Sequence, residues 1–483
     1  MSDFKSKTIV SIFWNLTERL GNQVLRFGLG IVLARLLLPS DYGILALTTI
    51  VIAFSEILID GGLMMVLIQR SSNSNKEYST VFWSRLFSAI VLFVLIFFTS
   101  TYIAQFYETP ILKQVLQVIS FVLVLNSLSS VHKVKLTNNL DFKGQAKIVL
   151  VSTLLGGITG ISLALLDYGV WALVFQTMTI HIIQAVLFWF YTKWIPSATY
   201  SVSFMKSVFA MGIYFLSNNV LLIIYNNLYV TIMGKIYNPT TLGLFTRGRQ
   251  FEQLPENTTN SLIVKVLFPI LSKDKDNKLK LKNHTVEILS WLSYIITPIM
   301  LLLVINAEPI IEFFLTEKWL GASDFLIILA IAGIFIPINN TLLNIFNVIG
   351  KPIVSSQVYL FKIVFTATLI FFVWEHGALW TVSIIILDNI LVLSILGVIT
   401  KRFIGLSMQS IFKSIGSVFL INALAFTLVY CFLTYSTFIL GNFTHIMVSA
   451  IMYCFMIYVL SSILKMNQIK QIDKRIKNLF LKK

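Results

Sequence analysis

Apolar runs of about 20 residues, separated by Gly, Pro and clusters of charge, recur along the whole 483-residue chain. An α-helix of that length crosses the hydrocarbon core of a bilayer. The pattern predicts spans near residues 12–37, 43–67, 80–104, 112–132, 146–166, 169–191, 207–233, 244–271, 287–306, 323–347, 353–374, 378–399, 411–434 and 443–464. Stretches such as 90–98 and 295–305 do not alternate between apolar and polar positions. Barrel strands alternate lipid-facing and lumen-facing positions, so they are excluded. The expected fold class is an all-α polytopic membrane protein with about fourteen transmembrane helices.

The chain also resembles itself at a shift of 200 residues. That shift pairs Arg35 with Lys235, Pro39 with Pro239 and Gly43 with Gly243, and it sets Ile44 and Leu45 against Leu244 and Phe245. Six spans separate the copies, so the halves keep the same orientation and an axis along the membrane normal relates them. The implied architecture is two parallel six-helix lobes around a central cavity plus two C-terminal helices. The divisions are 1–200 for spans 1–6, 201–402 for spans 7–12, 403–464 for spans 13–14, and 465–483 for a tail. In that tail Ile469, Ile472, Ile476 and Leu479 recur at helical spacing among lysines. This predicts a basic amphipathic helix on the membrane surface that engages anionic lipids.

Composition agrees with the membrane reading: 12% of residues are charged and 57% hydrophobic, with a mean hydropathy of +0.84. Soluble domains carry about 25% charged residues. The formal net charge of +16 is a topology signal and does not point to nucleic acid, because the basic residues lie between spans. Of the 37 Lys and Arg, 26 fall on the side that holds both termini, and four (Arg35, Lys113, Lys235 and Lys318) fall on the other. The positive-inside rule makes the first side cytoplasmic. The remaining seven lie within or at the edges of spans: Arg19, Arg26, Arg85, Arg247, Arg249, Lys265 and Lys362. Cys431 and Cys454 both fall in apolar runs and suggest neither a disulfide nor a metal site.

The charges inside spans are the candidate chemistry. The first span places Asn15, Arg19, Asn22 and Arg26 on one helical face, with Glu18 beside them. A charge at the bilayer centre costs about 2.5–3.5 kcal/mol on insertion scales. Two arginines there either line water-filled space, form a buried ion pair with Glu18, or snorkel near the helix ends. The eighth span repeats the offsets with Arg249, Gln253, Glu256 and Asn260, flanked by Arg247 and Glu252. Guanidinium groups suit phosphate oxygens through their fork geometry and permanent charge. Pro255 lies within this stripe and marks either a gating bend or a static kink. In the second span Glu56 and Asp60 stand one turn apart before Gly61 and Gly62. They are candidates to bind a coupling ion, Na+ or H+, or else to neutralise neighbouring arginines. Asn219 and Asn226 of the seventh span share a face and either bond sugar hydroxyls or join helices. Arg85, Lys265, Lys362 and Asp388 are read by default as lone charges snorkelling to the interface.

The chain has no phosphate-binding G-x-x-x-x-G-K-[ST] loop, and its five histidines show no metal-ligand spacing. The loops are too short for a catalytic domain, so no enzyme and no cofactor are expected. The segment from Ala34 to Gly43, the run Gly243-Leu244-Phe245-Thr246-Arg247 continuing to Leu267-Phe268-Pro269-Ile270-Leu271-Ser272, and Phe313-Phe314-Leu315 with Trp319 and Ala322 together resemble polysaccharide flippases of the Wzx type. These belong to the multidrug/oligosaccharidyl-lipid/polysaccharide exporter superfamily. The resemblance implies a secondary transporter in a bacterial inner membrane, with both termini cytoplasmic. It implies translocation of undecaprenyl-pyrophosphate-linked glycan by alternating access, coupling to a proton or sodium gradient, and other polysaccharide assembly proteins as partners. It also implies that arginines on the first and eighth helices, here Arg19, Arg26, Arg247 and Arg249, line the cavity. The competing readings are a cation-coupled drug exporter, which four cavity arginines disfavour, a membrane-embedded glycan polymerase or ligase, and a scaffold that does not transport.

Overall fold

The computed structural model describes residues 2–70, 72–263, 267–435, 441–466 and 468–470. Among the described residues there is no strand. In chain order the helices are α1 (Ser2–Leu36), α2 (Pro39–Asp60), α3 (Leu63–Gln69), α4 (Asn75–Phe106), α5 (Ile111–Ile119), α6 (Val122–Asn138), α7 (Phe142–Leu165), α8 (Val170–Thr192), α9 (Val202–Ile236), α10 (Pro239–Leu262), α11 (Phe268–Lys273), α12 (Lys278–Ile305), α13 (Ala307–Leu315), α14 (Gly321–Gly333), α15 (Ile336–Val348), α16 (Ile353–Val373), α17 (Ala378–Ile404), α18 (Met408–Tyr435) and α19 (Asn442–Ile463).

Helices cover most of the described residues in the fourteen expected stretches, and eleven helical segments among the described residues are long and apolar enough to cross a bilayer. This count does not confirm the number fourteen, and it leaves the polytopic all-α fold as expected. The stretches outside the eleven belong to α1, α9 and α10. Helices α1 and α10 carry the polar stripes, and α9 contributes the shorter apolar piece Val220–Ile236. Two crossings are each built from a pair of helices. Ile111–Asn138 joins α5 to α6, and Gly321–Val348 joins α14 to α15 just before Pro337, whose missing N–H ends the α14 ladder. The Glu-rich connection after α12 contains α13, which the hydropathy pattern does not separate from a loop. Lys265 and the tail from 471 lie outside the described residues.

The helices form two compact units, Met1–Gly243 and Leu244–Lys483. Helix α9, just past the sequence division at 200, packs on α2, α3 and α4 of the first unit. In that unit α1 lies along α7, where Leu33, Leu37, Ala164 and Leu173 form a buried cluster. Gly156 and Gly160 on α7 let α8 approach so closely that a Cβ at 156 would stand 2.3 Å from Ile180 and one at 160 would stand 2.9 Å from Gln176. In the second unit the main core joins α12, α15, α17 and α18 through Leu289, Ile338, Phe346, Leu396 and Ile415. Large apolar side chains such as Phe87, Phe98 and Tyr102 on α4 stay exposed. A water-soluble monomer seldom shows such a surface, whereas lipid is as apolar as the side chains themselves.

The repeated glycines have a structural cause. Segments 39–43 and 239–243, both within the first unit, cross backbone to backbone. A Cβ on Gly43 would lie 1.8 Å from the Pro239 carbonyl oxygen, and one on Gly243 would lie 1.8 Å from that of Pro39. No neighbouring side chain can move to relieve such a clash, because the obstacle is backbone. Gly43→Ala and Gly243→Ala are each expected to lower stability by about 1–3 kcal/mol through overpacking. Gly28→Ala, where a Cβ meets nothing within 4 Å, is expected to be neutral or slightly stabilising. Thermal unfolding of the purified variants measures the contrast, and equal behaviour of all three would remove the crossing as a packing constraint.

Candidate functional site

In the first unit the carboxylates of α2 sit where that helix ends. Gly61 and Gly62, at φ of +48° and +83°, take left-handed conformations and stop the helix directly after Asp60. A carboxylate at a helix C-terminus opposes the helix dipole and needs a counter-charge. Arg85 of α4, 4% exposed, supplies it. Its guanidinium bonds Asp60, lies 3.7 Å from Glu56 and donates through Nε to Ser130 of α6 at 3.0 Å. Asn126, also on α6, donates to Glu56 Oε1 at 2.7 Å. Arg85 is therefore no lone charge snorkelling to an interface, and that expectation is corrected. It is the centre of a network that ties α2, α4 and α6 together.

The stripe on α1 is arranged differently. Arg19 and Arg26 are exposed on the unit, and Glu18 and Asn22 are half-buried. Arg26 Nε donates to Asn22 Oδ1 at 3.4 Å, and the same oxygen accepts from Thr153 of α7 at 2.9 Å. The structure thus holds the asparagine and leaves both guanidinium groups at the surface. The side chains of Asn15, Asn218 and Asn219 lie outside the described residues. Asn226 is exposed on α9.

In the second unit the polar positions of α10 divide by depth. Arg247 is buried with its guanidinium 5.6 Å from the ring centre of Trp319, and it bonds Gln250. Arg249, Gln253 and Glu256 are half-buried. Glu252 is 3% exposed and packs against Gly333 of α14, where a Cβ would stand 2.8 Å from its Oε1. Its side chain interacts with Glu256 one turn on and with the charge of Arg249. Asn260 donates to Glu256 Oε1 at 3.2 Å and accepts from Asn340 of α15 at 2.9 Å. Pro255 lies inside α10 without ending it, and the Thr259 hydroxyl donates to its carbonyl at 2.8 Å.

A second buried pair stands on α16 and α17. Lys362, 6% exposed, lies 3.3 Å from Asp388, which is fully buried, and 3.5 Å from Asn389 Oδ1. Asn339 of α15 donates to the Asn389 carbonyl at 3.0 Å. The snorkelling reading of Lys362 and Asp388 is corrected by this burial.

The sequence reading missed the roles of Arg85, Asn126, Asn340, Lys362 and Asn389 because each acts through a partner on another helix. One signal was nevertheless present. The shift of 200 that aligns the glycines also aligns Glu56 with Glu256 and Asp60 with Asn260. In each unit an asparagine from elsewhere in the bundle donates into the aligned pair: Asn126 to Glu56 and Asn340 to Asn260.

Ionisable residues buried in a multi-pass helical bundle mark a functional site, such as a substrate or ion pathway. Residues 32–324 match the family described as polysaccharide biosynthesis protein, and the chain belongs to that family. It is 24% identical to the teichuronic acid biosynthesis protein TuaB of Bacillus subtilis, over 77% of each chain. It is 22% identical to the lipopolysaccharide biosynthesis protein WzxC of Escherichia coli, over 74% of this chain and 73% of that one. The fold is that of the lipid II flippase MurJ in an inward closed conformation, with a TM-score of 0.71 at 16% identity over 95% of this chain and all of the other.

Breaking the Lys362–Asp388 pair tests the buried network. Lys362→Met is expected to cost about 3–5 kcal/mol, because it strands a fully buried carboxylate, and Lys362→Met with Asp388→Leu to recover most of that loss. Denaturant unfolding of the single and double variants provides the comparison. A single variant as stable as the parent would show that the pair carries no buried charge.

Proposed function

We propose that the protein is a flippase that carries undecaprenyl-pyrophosphate-linked oligosaccharide units from the cytoplasmic to the periplasmic leaflet of a bacterial inner membrane. The observation that carries this reading is membership of the polysaccharide biosynthesis family on a flippase fold. Guanidinium groups provide the matching chemistry. Arg19 and Arg26 of α1 stand exposed on a helix that is less apolar than the eleven crossing segments, and Arg249 of α10 is half-buried. Such groups bind pyrophosphate oxygens in charge-assisted pairs, while Asn22, Asn219, Asn226 and Gln253 offer amides to sugar hydroxyls. Arg247, bonded to Gln250 and lying over the Trp319 ring, is a further guanidinium candidate on α10. Alternating access would present these groups first to one leaflet and then to the other.

Charge balance supports coupling to a proton or to sodium. In the first unit Glu56 and Asp60 face Arg85. In the second, Glu252, Glu256 and Asp388 are set against Arg249 and Lys362. Among the described residues each set holds one acid more than base. One monovalent cation neutralises either set, and its binding biases transport only if the two conformations hold it with different affinity. Glu18 beside the α1 stripe is a further candidate. The weight of basic residues on the side of the termini supports a cytoplasmic location for both ends. Anionic lipids at the basic tail and other polysaccharide assembly proteins complete the proposed partners.

The test is flipping of a fluorescent undecaprenyl-pyrophosphate oligosaccharide in proteoliposomes, with and without an imposed ion gradient. Arg19→Ala and Arg249→Ala are each expected to slow transport at least about tenfold, since a hydrogen bond to a charged group is worth about 1.5–3 kcal/mol. Transport unchanged in both variants would remove these side chains from the substrate path. A folded parent protein that moves no lipid-linked glycan would overturn the flippase reading itself.

A further inference from the structure

The second unit carries a groove of about 1070 Å³ where α12, α18 and the chain beyond α19 meet. Its lining is graded by depth. Lys282 stands in the second turn of α12, Lys413 in the second turn of α18, and Lys465 two residues past the end of α19. Three ammonium groups thus come from helix ends, at the level where a bilayer gives way to water. Further along α12 and α18 the groove is lined by Val286, Trp291 and Leu420. Glu287 is the carboxylate among the lining residues, which leaves a surplus of two positive charges.

The wall beyond α19 is held in place. The chain turns at Lys465, with φ of +51°, and Met466 and Ile469 then bury against Val418 and Ile421 of α18. Gln468 bonds Ser290 of α12. Gly416 lies in the interior of α18 and lines the groove, yet a Cβ there would meet nothing within 4 Å. Neither close packing nor a left-handed φ requires a glycine at this position, and a glycine weakens a helix relative to alanine. What its absent side chain provides is space in the groove.

An occupant must therefore be anionic at the rim and apolar further in. The sequence that follows residue 470 has the wrong sign, with Lys474, Arg475, Lys477, Lys482 and Lys483 against the single acid Asp473. We infer that the groove binds an anionic phospholipid, its headgroup phosphate among Lys282, Lys413 and Lys465 and its acyl chain along Leu420 and Trp291. A phosphate placed there meets three flexible ammonium donors, and the indole of Trp291 lines the apolar stretch further along α12.

Native mass spectrometry of the purified full chain, titrated separately with phosphatidylglycerol, phosphatidylcholine and undecaprenyl pyrophosphate, tests the inference. The parent protein is expected to retain phosphatidylglycerol in preference to phosphatidylcholine. Replacing all three lysines (Lys282→Gln, Lys413→Gln, Lys465→Gln) is expected to weaken that retention at least about tenfold, given the electrostatic contribution of each basic residue near an anionic headgroup. Gly416→Leu, which fills the space and leaves the charges, is expected to weaken it as well, with no fall in unfolding temperature. If the triple variant does not fold, Gly416→Leu alone decides. Phosphatidylglycerol retained equally by parent and variants would overturn the site. Undecaprenyl pyrophosphate retained at these residues in place of phosphatidylglycerol would overturn the phospholipid as its occupant.

Discussion

Charge held away from water must be answered by charge, and the helix bundles of this protein are organised around that requirement. A carboxylate or ammonium in a low-dielectric interior carries a desolvation penalty of several kcal/mol, offset only by a partner in good geometry. Arg85 meets it by reaching two carboxylates on α2 and a hydroxyl on α6 from its place on α4. Lys362 and Asp388 meet it across α16 and α17, with Asn389 beside them. Both networks do more than neutralise. Each joins helices that apolar packing alone would leave free to slide, since lipid competes for apolar surface almost as well as another helix does.

The two units answer the same requirement with different cations. The aligned positions Glu56 and Glu256 each accept an amide, from Asn126 in the first unit and from Asn260 in the second. In the first unit the cation is a planar guanidinium whose separate N–H groups engage three side chains. Its direction is set by that fork, so Asp60, Glu56 and Ser130 are held in one arrangement. In the second unit the fully buried acid is matched by an ammonium on a flexible stem. An ammonium is a point charge that can turn between acceptors without losing its charge interaction.

Much of this was legible in the sequence, and the part that was not has a common cause. Hydropathy located the apolar helices and set the fold class, because crossing length and apolarity are local properties of one segment. It also singled out α1 and α10, which stand apart from the eleven crossing-length helices because Arg19, Arg26, Arg249 and Glu256 lower their apolarity. Periodicity reports which residues share a face of one helix and is silent on the helix opposite. Arg85 therefore read as a lone charge, although its partners lie 25 residues back at Asp60 and 45 residues ahead at Ser130. The same silence hid the bond between Asn126 and Glu56, 70 residues apart. The joints within Ile111–Asn138 and Gly321–Val348 were missed for another reason: neither interrupts the apolar run.

The repeat at 200 residues links the backbone constraint to the chemical one. Gly43 and Gly243 recur because two chain segments cross at a distance that no side chain survives. Glu56 and Glu256 lie 13 residues beyond those glycines in both copies, along α2 and α10. A helix is a rigid ruler of 1.5 Å per residue. Anchoring each helix by a glycine at its start therefore fixes how far along it the carboxylate stands. A displacement of the crossing along α2 would carry the register of that helix with it, moving Glu56 against Arg85 on α4 and Asn126 on α6. The tight crossing and the buried acids are in this sense a single device, in which backbone contact sets the position at which charge must be matched.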